Sequence, residues 1–171
     1  MTGDHESERP TANCLPYSIP IADGNGGFGG NGYVLKIIQE TDLVVILHEF
    51  LGIFRQIFLD GRTLPKDPNP TWMGYSVGHW DQDTLVVDTT SFNGKAWLDG
   101  DGHPTTEALR VTERFRRRDF GHLEIQLTID DPKAYTKPWM VTVKRQLLAD
   151  TDVVEDVCNE NEKDLKHLVG K

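Results

Sequence analysis

Apolar and polar residues alternate along much of the chain from residue 33 onwards, and this alternation predicts β-strands. In Leu109–Arg116 every second residue is apolar, except that Glu113 occupies one of the apolar positions. Leu123–Asp130 alternates in the same way, and the tight turn Arg118–Gly121 joins the two strands. We place the remaining strands at 34–39, 43–47, 53–59, 73–80, 84–89, 139–147 and 153–158.

This series of strands predicts the fold class. There is no internal repeat and no strand–helix–strand alternation, so we expect a mostly β protein with eight or nine antiparallel strands. They would form a barrel or a strongly curved, calycin-like sheet, and a barrel of about eight strands can hold one small ligand. Residues 1–32 predict a flexible, acidic and glycine-rich arm before a single β domain at 33–171, which ends in a short polar helix from Glu160 to Leu168.

Charge and composition limit the partners. The 171 residues carry a net charge of −9, which opposes a nucleic-acid backbone or an anionic membrane and favours a small molecule or a cation. No apolar run approaches the roughly 18 residues of a transmembrane helix, so we expect no membrane partner. The polar first ten residues do not resemble a secretory signal, which predicts a cytoplasmic protein. A homo-oligomer is compatible with this pattern.

The two cysteines, Cys14 and Cys158, lie near opposite ends of the chain. Neither has a Cys or His at metal-ligand spacing, so a zinc cluster is not expected. A single disulfide between them and two free thiols are both open, and a reducing cytoplasm favours the free thiols.

A loop rich in Asp and Gly follows the predicted hairpin at 73–89 and suggests a cation site. Asp99 and Asp101 are separated by a glycine, and Glu107 follows in the same loop, so several carboxylate oxygens can face one side of a turn. Calcium binds six to eight oxygens in flexible geometry. The twelfth position from Asp99 is Arg110 rather than Glu, which excludes a helix–loop–helix site and leaves an irregular calcium site or an ordinary surface turn.

Gly74-Tyr75-Ser76-Val77-Gly78 matches the pattern of a nucleophile elbow. An elbow needs a strand-to-helix turn, whereas this sequence predicts a hairpin, so chance occurrence is the simpler interpretation. A nucleophilic Ser76 would need a base within about 3 Å. On a strand His79 faces away from Ser76, which leaves His103 and His122 as the better-placed candidates.

Glu113 and the neighbouring arginines form a further candidate group. A carboxylate on the apolar face of a strand is either paired with an inward-facing arginine, such as Arg55 or Arg145, or available for acid–base chemistry. Arg110, Thr112, Arg114 and Arg116 form a basic stripe on the opposite face. The stripe could hold an anionic ligand, or it could be a solvated face paired with acids such as Glu124.

Four segments carry a resemblance to a known family: Arg55–Arg62, Pro70–Gly78, Leu109–Phe115 and Asp130–Trp139. Over residues 33–171 the chain resembles the C-terminal part of a large, mostly uncharacterised family of soil-bacterial proteins of acidobacterial type. Members of that family are longer at the N-terminus and often exported. The resemblance also extends to metagenome-derived hydrolases that degrade acyl-homoserine lactones, which implies an ester or lactone as substrate.

These features together predict a calcium-dependent hydrolase of a small ester or lactone, such as an acyl-homoserine lactone. The alternative is a β-barrel that binds a small ligand without turnover. In the hydrolase, Asp99, Asp101 and Glu107 would hold the cation. The candidate catalytic residues are Glu113, His103, His122 and Ser76, and the candidate substrate contacts are Arg110, Arg114, Trp72 and Tyr75.

Overall fold

The computed structural model describes residues 10–23, 33–158 and Glu160. Eight strands form a single sheet in chain order, which curls into a half-barrel. Their bounds are β1 Leu35–Gln39, β2 Leu43–His48, β3 Phe54–Phe58, β4 Tyr75–Asp81, β5 Thr84–Thr90, β6 Arg110–Arg117, β7 His122–Asp130 and β8 Trp139–Gln146. The predicted mostly β, strongly curved fold is confirmed. Within the described residues no helix has the length and hydrophobicity needed to cross a bilayer.

Neighbouring strands are antiparallel with one exception. β3 and β4 run parallel, with Ile57 opposite Ser76 and Phe58 opposite Val77, so the prediction of an entirely antiparallel sheet is wrong at this pair. The cause is the long connection at 59–74, which contains three prolines and returns the chain to the end of the sheet where β3 began. A short hairpin turn could only have produced an antiparallel pair.

The core lies on the concave face of the sheet. Alternate residues of each strand point inward, because successive side chains of a strand lie on opposite faces. Ile57, Val87, Ile125 and Leu127 are fully buried in the middle of this face. Burial of apolar surface at about 25 cal/mol per Å² is the main force that holds the half-barrel together.

Residues 10–23 pack against the sheet, although the sequence predicted a flexible arm there. Tyr17 and Ala22 are buried, and Ile19 belongs to the main core cluster. The short helix α1, Ile19–Asp23, is held by Arg145 of β8, whose Nη2 donates to the Ala22 carbonyl at 3.0 Å. Three apolar side chains therefore order a segment whose composition suggested a loose chain. The rest of the predicted arm, 1–9 and 24–32, lies outside the described residues.

The residues after β8 do not form the ninth strand that the sequence predicted. We call residues 147–158 the C-terminal strap, because they cross from β8 towards β1 and β2. The strap is held by single contacts: Asp152 forms a salt bridge with Lys36 at 2.8 Å, and Asp156 Oδ2 accepts a hydrogen bond from the Leu51 amide at 2.7 Å. Val154 stays largely exposed. Apart from Glu160, the residues of the predicted C-terminal helix lie outside the described part of the chain.

Cys14 and Cys158 form a disulfide, so the favoured prediction of two free thiols is wrong. Their Cα atoms are 5.7 Å apart although 144 positions separate them in the sequence. The bond fastens the end of the strap to the segment that precedes α1. Both terminal segments are thereby fixed on the side of the half-barrel where β1 and β8 leave the sheet open.

Candidate functional site

A cavity of about 760 Å³ opens between β1 and β8. This volume lies in the range of small-molecule sites, which is roughly 300–1,000 Å³. Its apolar floor comes from inward-facing side chains of six strands, and the strap and two hairpin turns form its rim. The floor residues include Ile37, Val44, Ile46, Ile57, Leu85, Phe115 and Leu123. The half-barrel therefore offers an apolar chamber with a partly polar mouth.

The charged residues around the cavity are more basic than the chain as a whole. Four cationic side chains and two carboxylates line the cavity, whereas the chain carries a net charge of −9. The cations are Lys36, Arg117, Lys144 and Arg145, and the carboxylates are Asp83 and Asp152. Fixed cations beside an apolar chamber favour a ligand with an anionic or strongly polar head.

His122, a predicted catalytic residue, lines the same cavity at the start of β7. Its Nδ1 lies 2.7 Å from Asp119 Oδ1. This hydrogen bond is the main reason why the pKa of the Asp119 carboxyl is lowered, and the bond from the Gly121 amide adds to it. A tautomer with its proton on Nδ1 would donate to the carboxylate and leave Nε2 as an acceptor, which is the arrangement that a general base needs.

Glu113 and Ser76 meet in a buried polar cluster on the concave face, away from the cavity walls. Arg55 donates from Nη1 to Glu113 Oε1 at 3.2 Å and from Nε to Ser76 Oγ at 3.1 Å. A second bond joins Arg55 Nη2 to Glu113 Oε2, and Thr89 Oγ1 contacts both Arg55 and Ser76. The predicted ion pair between Glu113 and an inward-facing arginine is confirmed, and its partner is Arg55. Ser76 lies within β4 rather than at a strand-to-helix elbow.

The acidic loop lies at the other end of the sheet. Asp99 is buried, and its carboxylate accepts hydrogen bonds from the Asp101 amide at 2.9 Å and the His103 amide at 3.3 Å. His103 Nδ1 lies 2.6 Å from its other oxygen, while Glu107 pairs with Lys133. Over residues 10–23 and 33–158, no three His, Cys, Asp or Glu side chains group as a metal would require. These contacts stabilise the turn itself, and the calcium site stays a prediction.

The candidate substrate contacts lie on the convex face or near it. Arg114 forms a salt bridge with Asp81 at 3.0 Å, and Arg110 shares the outward phase of β6. Tyr75 stacks on Phe58, with 5.3 Å between ring centroids. Trp72 is half-buried in the connection before β4. None of these side chains lines the cavity, and the paired arginines match the interpretation of the stripe as a solvated face.

One cavity residue, Arg117, and one partner of a cavity residue, Asp119, were not predicted from the sequence. Arg117 continues the inward phase of Val111, Glu113 and Phe115, although its position between Arg116 and Arg118 in the sequence suggests only a run of exposed basic residues. Asp119 was assigned only to a turn, yet it lies three positions before His122 and contacts that ring. The two-residue period of the strand could have identified Arg117, and the three-residue spacing from His122 could have identified Asp119.

No protein-family model, curated protein or solved structure matches this chain. The resemblance to soil-bacterial proteins and to lactone-degrading hydrolases therefore stays a prediction. The geometry of the cavity carries the functional interpretation.

Proposed function

We propose that the half-barrel binds a small amphipathic molecule in the cavity between β1 and β8. The observation that carries this proposal is an apolar chamber of about 760 Å³ with a cationic mouth. A ligand with an apolar body and a polar or anionic head fits both parts, because small-molecule sites combine an apolar lining with a few fixed polar groups. This is the ligand-binding alternative that the sequence also predicted, and the cavity is the site that we propose for it.

Two adjacent isoleucines of β1 provide a matched test. Ile37 lines the cavity and faces Ile46 across the β1–β2 pair, whereas Ile38 lies on the opposite face. Both side chains are about equally exposed, at 41% and 38%. We expect Ile37→Trp to raise the Kd for decanol at least about tenfold by filling the cavity. Isothermal titration calorimetry measures this, with Ile38→Trp as the control that keeps wild-type affinity.

Wild-type protein that fails to bind decanol and decanoate at millimolar concentration would refute the proposal. So would equal loss of affinity in the two tryptophan variants, since only one of them projects into the chamber. Thermal unfolding of each variant confirms that a change in binding does not reflect loss of the fold.

A second candidate function, hydrolysis of an ester or lactone, is favoured by the His122–Asp119 pair at the cavity mouth. In this proposal a water molecule adds to the carbonyl carbon of a bound substrate while His122 Nε2 takes up its proton. That proton then passes to the departing alkoxide. The acyl chain would occupy the apolar chamber, which places the scissile bond near the mouth. General-base catalysis of this kind contributes roughly 10²- to 10⁴-fold in rate.

The two candidate histidines separate this proposal from its alternatives. His122→Gln is expected to lower kcat for decanoyl-homoserine lactone by about 10²-fold or more. His103→Gln, in the acidic loop at the far end of the sheet, is the matched control and should keep the wild-type rate. Turnover is followed by the proton released on ring opening, with and without a calcium chelator, so that the predicted calcium dependence is tested in the same assay.

Absence of turnover across a panel of lactones and p-nitrophenyl esters would remove the hydrolase and leave the binding function intact. Loss of activity in His103→Gln but not in His122→Gln would move the chemistry to the acidic loop. In that case chelation should also abolish the activity.

A further inference from the structure

We propose that the ligand of the cavity is a single-chain aliphatic anion and that Arg117 binds its head group. This proposal rests on the proposed binding function and adds the chemical class of the ligand and the residue that selects it. Arg117 ends β6 on the inward phase, directly after Phe115 of the cavity floor. Arg117 therefore lines the cavity next to its apolar floor.

The β6–β7 turn holds the Arg117 side chain in place. Nε donates to the Asp119 carbonyl at 3.2 Å and Nη2 to the Phe120 carbonyl at 2.8 Å. The guanidinium carbon also lies 5.2 Å from the centre of the Phe120 ring. These two hydrogen bonds engage two of the five N–H donors of the side chain, and Nη1 takes part in neither. A planar group with donors to spare suits a carboxylate, which accepts two parallel bonds from arginine.

Charge pairing distinguishes Arg117 from the arginines around it. Arg114, Arg116 and Arg118 each form a salt bridge, with Asp81, Asp83 and Glu124 respectively. Among the residues that the structure describes, no carboxylate forms a salt bridge with Arg117. Arg117 thus differs from these three neighbours, because its described contacts are carbonyl oxygens and an aromatic ring rather than a carboxylate.

A row of side chains that runs across β6, β7 and β8 places a second arginine near Arg117. Arg117 lies opposite Leu123 of β7, which in turn lies opposite Arg145 of β8. Two guanidinium groups therefore flank one apolar side chain on the concave face. Arg145 donates to the carbonyls of Ala22 and Tyr33, and Tyr33 also lines the cavity. We assign the head-group contact to Arg117 and a structural role, holding Tyr33 and the end of α1, to Arg145.

The test compares ligands that share one chain and differ in the charge of the head group: decanoate, decanol and decyltrimethylammonium. Binding is measured by calorimetry on the oxidised 171-residue chain. We expect wild-type protein to bind decanoate most tightly and the cationic ligand most weakly. Arg117→Gln should weaken decanoate binding about tenfold and leave decanol binding unchanged, since a hydrogen bond to a charged group is lost.

Two further variants control for the effect of the substitution on the turn. Arg118→Gln removes a neighbouring arginine that does not line the cavity and should change neither affinity. Arg117→Lys keeps the charge and should retain most of the affinity for decanoate.

Three results would overturn the assignment: equal binding of decanoate and decanol by the wild type, equal loss of both in Arg117→Gln, or unchanged decanoate binding in that variant. None of these results removes the chamber as a binding site, because binding of decanol to the wild-type protein tests the chamber separately. Failure of the wild type to bind any of the three ligands would instead remove the proposed function.

Discussion

Replacing both cysteines, as Cys14→Ser with Cys158→Ser, is expected to lower the free energy of unfolding by about 2–5 kcal/mol. The disulfide closes a loop of 144 residues, and the chain-entropy model assigns about 5 kcal/mol to a loop of that length. Because a domain is stable by only about 5–15 kcal/mol in total, this is a large fraction. Urea unfolding followed by tryptophan fluorescence measures the change in free energy.

Wild-type protein unfolded in the presence of a reductant should match the double variant. Hydrogen exchange should also show faster exchange of the amides in residues 10–23 and in the strap, since these two segments are what the bond joins. An unchanged midpoint with unchanged exchange would show that the terminal segments are held by their packing alone. The role assigned to the disulfide would then be wrong.

Glu113→Gln is expected to destabilise the protein by about 3–5 kcal/mol. The ion pair with Arg55 is fully buried, so neutralising the glutamate leaves the guanidinium charge of Arg55 inside the half-barrel without its carboxylate. Breaking a buried pair by removing one partner is far more damaging than losing a surface pair, which contributes roughly 0–1 kcal/mol. Chemical denaturation gives the free energy of unfolding.

Asp81→Asn is the matched control, because it breaks the exposed salt bridge to Arg114 in the same sheet. It should cost less than about 1 kcal/mol. The pair of changes Arg55→Met and Glu113→Leu, made together, should recover much of the stability lost in Glu113→Gln. If Glu113→Gln proves as stable as Asp81→Asn, the cluster does not hold the core. If it stays folded but loses hydrolysis, Glu113 has the catalytic role that its position in the sequence first suggested.

The strands could be read from the sequence because each has one buried and one solvated face. The alternation of Leu109–Arg116 and Leu123–Asp130 fixes both the strand and the face that turns inward. The inward position of Glu113 followed from the same period, whereas its pairing with an arginine was one of two interpretations that the sequence left open. Curvature of the sheet followed from the number of strands and the lack of helices to cover them.

Long-range features could not be read from the sequence, for physical reasons. The connection at 59–74 is long enough to return the chain to either end of the sheet, so the parallel β3–β4 pair depends on how it packs. The five residues of α1 are too few to show a helical period, and Tyr17 and Ile19 order the segment only because the open side of the half-barrel accepts them. Pairing of Cys14 with Cys158 depends on that packing as well.

The candidate site also combines features that the sequence indicated with features that depend on the fold. His122 was a candidate base because His79 faces away from Ser76 on its strand, and the structure places His122 at the cavity, where its ring contacts Asp119. The cavity itself arises from the gap between β1 and β8, which no local pattern encodes. The arginine stripe and the acidic loop were more conspicuous in the sequence, but their described contacts are with neighbouring charges and backbone amides.

Methyl-resolved NMR with isotopically labelled Ile, Leu and Val tests the location of the site most directly. On titration with decanoate, the resonances of Ile46, Leu85 and Leu123 should shift, because these side chains form the floor of the chamber. Leu109 and Ile129 are buried at the opposite end of the sheet and should not shift. Saturable shifts confined to the far end, or no saturable shift at any methyl group, would contradict binding inside the half-barrel.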